Sequence, residues 1–303
     1  MILCAGESLI DMIPQGGGFR ALPGGSVYNT AIALGRLGVA TSYLWPISRD
    51  PFGQMLLAPL QQAGVDITLC PRTDRLTTLA FVTLENGEAR YSFYDEGSAG
   101  RMFAPQDLPP LPPATSALFV GGISLVPDPC GATIEKLVEQ ARARSVPVML
   151  DPNIRPFFIR DESGFRDRLT RLISRADIVK LSADDLDWLH PQGGRRAIAR
   201  IQDLGPRIIL QTGGDEGATA HWQGQAIAAR AVKVAVADTI GAGDTFNAGV
   251  LAALSQKGAL ARGMDGIDRD ILGAALDLGT RAAAITVSRP GANPPWSYEL
   301  PPA

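Results

Sequence analysis

The sequence predicts an α/β fold in three layers, a central mainly parallel sheet with helices on both faces. Three observations predict it. Short β-branched or apolar runs alternate with longer amphipathic stretches along almost the whole chain, the pattern left by crossover connections between parallel strands. The 303 residues, 46% hydrophobic and 19% charged, can bury a core that needs no staples. The cysteines Cys4, Cys70 and Cys130 are odd in number, far apart and without a C-x-x-C pair. That excludes a disulfide scaffold and a thiolate zinc site.

Taken in order, residues 2–6 (ILCAG) read as a strand and 26–38 as a helix, followed by strand 41–46 and helix 51–64. Residues 76–84 and 89–94 flank Asn86-Gly87, a hairpin signal. This hairpin breaks the strand–helix rhythm and is expected outside the main sheet. The Pro-rich run from Leu108 to Pro113 reads as a stiff connector. Beyond it come strand 117–122, helix 131–144, strand 146–151, helix 163–174 and strand 177–181. Strands are also expected at 206–212 and 231–238, then helices from Gly243 to about Lys257 and from Asp268 to about Ile285. Residues 294–303 read as a surface wrap, and the whole as a single domain spanning 1–303.

Charge narrows the function. The 28 basic residues (24 Arg, 4 Lys) and 31 acidic ones leave a net −3. No basic field exists for nucleic acid or a membrane surface. The Arg bias reads as genome composition, and Arg195, Arg196 and Arg200 as a solvated helix face. Two histidines, His190 and His221, cannot make a His cluster and read as structural or surface residues. No apolar run reaches about 18 residues, and the start MILCAGESLIDMIP lacks a basic leader region. A cytoplasmic enzyme is the expectation.

Ligands of an open parallel sheet collect at the carboxyl ends of its strands. The strongest segment there is Asp238-Thr-Ile-Gly-Ala-Gly-Asp-Thr-Phe-Asn247. Gly241, Ala242 and Gly243 can turn successive N–H groups to one point at the positive end of the next helix, an anion site. The run is neither a dinucleotide fingerprint nor a Walker A loop. Asp244, one residue on, reads equally as a helix-capping carboxylate or as a general base facing the same anion. The helix dipole is expected to keep it ionised and weakly basic. Phosphoryl transfer tolerates a weak base, because its catalysis is mostly positioning and charge stabilisation.

A second glycine element, Pro23-Gly24-Gly25-Ser26-Val27-Tyr28-Asn29, opens a helix. It reads as a tight turn with an N-cap at Ser26, or as close backbone approach to a ligand with Asn29 bonding hydroxyls. Asp11 reads as a turn former, or as a carboxylate that grips two sugar hydroxyls.

Together GGSVYNTAIALGRLG and DTIGAGDTFNAG resemble the two signatures of the ribokinase-type (PfkB) carbohydrate kinases, in the right order and separation. The likeness covers essentially the whole chain. It is closest to bacterial fructokinases through Tyr94-x-x-Gly-Ser-Ala99, Asp151-Pro-Asn-Ile-Arg-Pro156 and Val179-Lys-Leu-Ser182. The resemblance implies a ribokinase-like fold, with a small β lid from about 10–22 and 72–98 over the sugar. It also implies ATP with Mg²⁺, K⁺ as a second cation, and a homodimer paired through the lid.

By the same likeness, Asp244 is the base and the amides of Gly241 to Asp244 form the anion hole. Asp11, Gly24, Gly25, Asn29 and Arg155 fall at substrate positions, and Lys180, Ser182, Thr212, Gly214, Gly217 and Gly279 at nucleotide positions. Ser182 and Asp185 stand where the family carries N-x-x-E, which organises Mg²⁺ through water, so this chain departs from the pattern at both. Asp238, the Ile240 carbonyl and Gly291 match a monovalent-cation site. Fructose is the expected acceptor. Another neutral sugar, a nucleoside or 2-keto-3-deoxygluconate are the alternatives. The acid is disfavoured because Asp95 stands where its kinases often carry Arg, although Arg90 or Arg101 could substitute. A sugar-sensing pseudokinase and a nicotinamide dehydrogenase are the readings from other classes. An intact GAG loop with Asp244 opposes the first, and the absent fingerprint the second.

Overall fold

The computed structural model describes residues 1–300 apart from 86, 87, 192 and 194. Its strands are β1 (Ile2–Ala5), β2 (Leu9–Gln15), β3 (Gly18–Gly24), β4 (Thr41–Leu44), β5 (Ile47–Ser48), β6 (Arg72–Thr73) and β7 (Leu79–Glu85). They continue with β8 (Glu88–Tyr94), β9 (Ala117–Gly121), β10 (Val148–Asp151), β11 (Ile178–Ser182), β12 (Ile208–Thr212), β13 (Ala218–Trp222) and β14 (Gln225–Ala229). The helices are α1 (Ser26–Arg36), α2 (Pro51–Gln62), α3 (Cys130–Ala143), α4 (Glu162–Arg175), α5 (Ala183–Leu189), α6 (Arg195–Asp203), α7 (Ala242–Gln256) and α8 (Arg269–Val287).

The chain begins in the interior of its main sheet, whose order is β14-β13-β12-β11-β10-β9-β1-β4. All neighbours pair in parallel except β12–β13 and β13–β14. From β1 the chain steps first to β4 on one side and later to β9 on the other. At such a reversal the carboxyl ends of adjacent strands splay open. The residues after β1 and β9 therefore border a crevice that the topology creates.

A second sheet of order β3-β2-β7-β8 is built from two excursions, one between β1 and α1 and one between α2 and β9. The β7–β8 hairpin stands outside the main sheet, as its broken rhythm predicts, while its turn signal Asn86-Gly87 lies outside the described residues. The β2–β3 hairpin is an addition to the sequence reading. Gly16 and Gly17 turn it with φ of 59° and 81°, the pair of left-handed residues that a two-residue hairpin loop demands.

Another expectation fails. Residues 231–238 form no strand, and Val232, Val234 and Val236 are exposed. Alternation makes a strand only where a sheet edge offers hydrogen bonds. Here the edge position is taken by the β13–β14 hairpin, and the N–H groups of Ala237 and Asp238 turn to the carbonyl of Val287 instead.

The helix that carries the glycine signature is the most enclosed. Every residue of α7 from Asp244 to Leu254 is buried. It lies so close to α8 that a methyl group on Gly249 would stand 2.6 Å from the α-carbon of Gly279. No helix among the described residues is long and apolar enough to cross a membrane.

Candidate active site

Gly241 caps α7 in the left-handed conformation, φ 77° and ψ 2°, which glycine adopts at no steric cost. Ala292 packs where its side chain would be. The turn leaves the first amides of α7 unpaired within the helix, and Asp244 falls in the first turn. Its backbone carbonyl accepts from Thr30 Oγ1 at 3.2 Å, and its Oδ2 accepts from Asn29 Nδ2 at 2.9 Å. Two residues that the sequence placed in separate signatures are thus in direct contact. Burial pushes the Asp244 carboxyl up to about 7, and the neighbouring Asp151 and Glu7 add to the rise, against the Asn29 bond and the Lys180 charge. The sequence expectation of a dipole-stabilised, weakly basic carboxylate is corrected here. Desolvation of a nearly dry carboxyl outweighs a helix-terminus effect of about 0.3–1 kcal/mol.

The first turn of α1 is held by a residue that motif reading passed over. Glu7, just after β1, accepts from Ser26 N at 3.0 Å, Ser26 Oγ at 2.9 Å and Ser124 N at 3.2 Å. It spans the crevice between β1 and β9 and is buried, and burial raises its carboxyl above the usual carboxylate range. Ser26 is therefore not the N-cap. That position is Gly25, whose backbone runs against the Glu7 carbonyl so tightly that no side chain fits. The Asp11 carboxylate lies over Gly24 in the same way. Asp11 is in β2, opposite Leu22 of β3 and Ala80 of β7. It accepts no hydrogen bond from the described residues, and burial raises it to about 6.

On the other flank of α7 is a second polar cluster. Asp151, at the end of β10, receives Lys180 Nζ at 3.1 Å and Asn247 Nδ2 at 2.7 Å on Oδ2, and Asn153 N at 3.1 Å on Oδ1. All three side chains of the triad Asp151, Lys180 and Asn247 are buried. Lys180 lies against Gly243, where a β-carbon would meet its ammonium at 3.2 Å. Asp151 and Asn247 escaped sequence reading, although each sat inside a quoted segment, because their value depends on partners about 100 and 30 residues distant in the chain.

Other expected positions have structural duties. Asp185 and Ser182 form a capping box at α5: Asp185 Oδ2 accepts Ser182 N and Oγ, and Oδ1 accepts Ile154 N at 2.7 Å. Both oxygens already accept from protein donors, one bond on Oδ1 and two on Oδ2. Among the described residues no three His, Cys, Asp or Glu side chains cluster as a metal site. Gly217 is required where β13 and β14 begin to pair, since a side chain would strike the Ala229 carbonyl. Gly279, expected at the nucleotide, is buried between helices against the Phe246 ring, a packing position. Thr212 and Gly214 do lie together at the end of β12, Gly214 with φ 61°. Arg155 is exposed and, among the described residues, bonds only the carbonyl of Ile154.

Asp238, Ile240 and Gly291 are brought together. Asp238 accepts Ile240 N at 3.0 Å and Gly291 N at 2.9 Å, so the loop before α7 and the turn after α8 meet at one carboxylate.

Beside the second sheet is a crevice of about 380 Å³ lined by Tyr91, Phe93, Asp95, Arg101, Phe157 and Phe158 among others. Tyr91 stacks on Phe157 at 5.4 Å and 7°, and Phe93 meets Phe158 edge-on at 4.8 Å, so strand β8 is fastened to the segment that follows β10. Asp95, which the sequence read as a local negative charge, pairs with Arg101 at 3.1 Å. Arg101 also donates to the Asp128 carbonyl. The Arg90 side chain lies outside the described part.

The model of the pfkB family carbohydrate kinases matches residues 1–298. A fructokinase of Rhizobium leguminosarum bv. trifolii is 45% identical over 268 residues, 86% of this chain and 82% of that protein. A fructokinase of Klebsiella pneumoniae is 33% identical over 261 residues, covering 84% of each. The crystal structure of a fructokinase with bound ATP from Xylella fastidiosa superposes with a TM-score of 0.86 at 28% identity, over 96% of this chain and 93% of that one.

Proposed function

The chain belongs to the pfkB family of carbohydrate kinases, and from that premise we propose that it is a fructokinase, moving the γ-phosphoryl group of ATP to a hydroxyl of D-fructose. One observation carries the reading: a buried Asp244 with its carboxyl raised to about 7, one residue past the glycine turn of α7. A base with that affinity takes a hydroxyl proton near neutral pH more readily than an ordinary carboxylate. The adjacent amides supply the complementary donors for the transferred group. Asp11, with free acceptor oxygens and little water, suits two sugar hydroxyls, and Asn29 holds Asp244 toward the same space.

The Asp95–Arg101 pair favours a neutral acceptor. Arg101 is spent on Asp95 and the Asp128 carbonyl, so a carboxylated sugar would find no free guanidinium there. The names of the two relatives point the same way.

ATP approaches from the β12 side, with Thr212 and Gly214 at its base and Lys180 and Ser182 toward its phosphates. Mg²⁺, if bound with the nucleotide, would neutralise phosphate charge, and Asp185 would face it through water. Asp238 with the carbonyls of Ile240 and Gly291 suits K⁺, an oxygen-only cation, and a filled site would stiffen the anion turn. The second sheet acts as the lid that excludes water during transfer. Exposed Phe19 and Tyr94 on it, and Leu76 just before β7, suit pairing of two lids in a dimer. The reading places the protein in the cytoplasm, in keeping with three free, buried cysteines.

An ADP-release assay over fructose, glucose, ribose, adenosine and 2-keto-3-deoxygluconate tests the proposal. The highest kcat/KM is expected with fructose. A higher value with any of the others overturns the fructose assignment.

A further inference from the structure

The fold keeps two unequal spaces side by side where the second sheet meets the main one. The larger is the crevice of about 380 Å³, within the range of about 300–1,000 Å³ that holds small ligands. The smaller, about 20 Å³, has room for about one water molecule and reaches buried Glu7 and Ser124. Glu7 carries the Gly25–Ser26 turn that the sugar is read to approach, so the smaller space adjoins the acceptor. None of Asp11, Asn29 and Asp244 lines the larger one. Asp95, Arg101, Pro127 and Phe158 border both. Asp95 and Arg101 are tied to each other, which leaves Phe158 as the large uncharged side chain between the two spaces.

Phe158 is placed there by its neighbours. It ends a 3₁₀ turn over Pro156–Phe158, its N–H donates to the Arg155 carbonyl at 2.9 Å, and Ile154 N donates to Asp185 at 2.7 Å. Its ring meets Phe93 at 4.8 Å and 71°. Residues opposite each other in a β ladder project to one face. Asp11 pairs with Ala80 and Ala80 with Phe93. Phe93 is therefore on the Asp11 face of the second sheet, with the small Ala80 between them, and Phe158 extends that wall toward the crevice.

We propose that Phe158 is a specificity-determining residue, a wall that limits the acceptor to one sugar ring by closing the acceptor space off from the crevice. The inference rests on the sugar-kinase reading and deepens it. The crevice is built for a second ring linked to the first. Its guanidinium groups are all paired, Arg101 with Asp95, Arg168 with Asp128 and Arg160 with Glu96, so it offers hydrogen bonds without a free charge. Tyr91, Phe93 and Phe157 give it apolar walls. That lining suits a neutral, hydroxyl-rich ring. With Phe158 in place, such a ring strikes the phenyl group; in Phe158→Ala the two spaces join.

The test uses whichever monosaccharide the wild type phosphorylates best, so loss of the fructose assignment leaves it intact. That sugar is offered free and as disaccharides that carry a glucose ring on each of its hydroxyls in turn. The kcat/KM of each disaccharide is divided by that of the free sugar on the same protein, so any loss of folded enzyme cancels. In the wild type every disaccharide should fall about 10²-fold or more below the free sugar. In Phe158→Ala the linkage that points at the crevice should gain at least about tenfold in this ratio, the others staying within about threefold. No gain for any linkage overturns the proposal, and so does an equal gain for all, which marks a loosened lid. Phe157→Ala is the control, because its ring is 57% exposed and stacks on Tyr91. Its ratios should match the wild type. A gain equal to that of Phe158→Ala would mean that the whole segment sets acceptor length, and the proposal would fall.

Discussion

The side-chain amide of Asn29 donates to Oδ2 of Asp244 at 2.9 Å, joining the first turns of two helices that lie 215 positions apart in sequence. Asn29 therefore acts on the proposed base as well as on the space a sugar would fill. A donor to a carboxylate favours the charged form, while burial disfavours it; burial wins, and the carboxyl titrates at about 7.

A pH profile follows from that balance. The base must be deprotonated, so kcat/KM for the sugar falls as pH drops below about 7, approaching tenfold per unit. Asn29→Ala removes the donor that favours the carboxylate, and the acid limb moves to higher pH. Rates measured from pH 5.5 to 9 check both, and a flat wild-type profile down to 5.5 contradicts the role of Asp244.

The same carboxyl costs stability. Its folded value of about 7 exceeds the ordinary 3.8, so the stability it contributes is complete below about pH 4 and is lost as pH rises through 7. Three units correspond to at most about 4 kcal/mol. Asp244→Asn should melt above wild type at pH 8, with the gap closing toward pH 4, and should lose at least about 10³-fold in kcat. Urea melts at the two pH values show the sign directly.

Asp11 titrates at about 6 and is charged at pH 8. Charge-assisted bonds to hydroxyls are worth about 1.5–3 kcal/mol, so Asp11→Asn should raise the sugar KM about 10–150-fold. ATP KM should remain within about threefold. A sugar KM unchanged in this variant removes Asp11 from the site.

Gly279 separates packing from nucleotide binding. A β-carbon there meets the Phe246 ring at 2.8 Å and its carbonyl at 3.1 Å. Overpacking of this kind costs about 1–3 kcal/mol, more than the helix propensity that alanine returns. Gly279→Ala should lower Tm and leave ATP KM alone. The reverse pattern would restore the nucleotide assignment.

Asp238 is the test of the proposed cation. Wild-type kcat should be higher in K⁺ than in Na⁺, and Asp238→Ala should erase the difference. Equal rates in the two salts for the wild type dismiss the site.

Chemistry written in adjacent residues was legible by eye. Gly241 to Asp244 could be read as an anion turn with a carboxylate because left-handed glycine and a helix start are local events. The alternation of apolar runs likewise exposed the parallel sheet, since each strand and helix needs its own buried face. The same local logic misled at 231–238, where the alternating valines follow the β13–β14 hairpin and pair with no strand, and at Ser26, whose backbone N–H is met by Glu7. Gly279, which the family likeness places at the nucleotide, is found in the contact between α7 and α8.

By itself, then, the sequence determined the order of the layers and the segments that bear the chemistry. Only the tertiary structure decided what those segments are chemically. Asp244 takes a carboxyl value near 7 because α1, Asp151 and Glu7 enclose it, and Asp185 caps α5 because Ile154 and Ser182 reach it. Lys180 keeps its charge although buried, because Asp151, Asp185 and Asp244 face it. Protonation and hydrogen bonding depend on how much water a group has lost and on which partners replaced it, and those partners come from residues far apart along the chain.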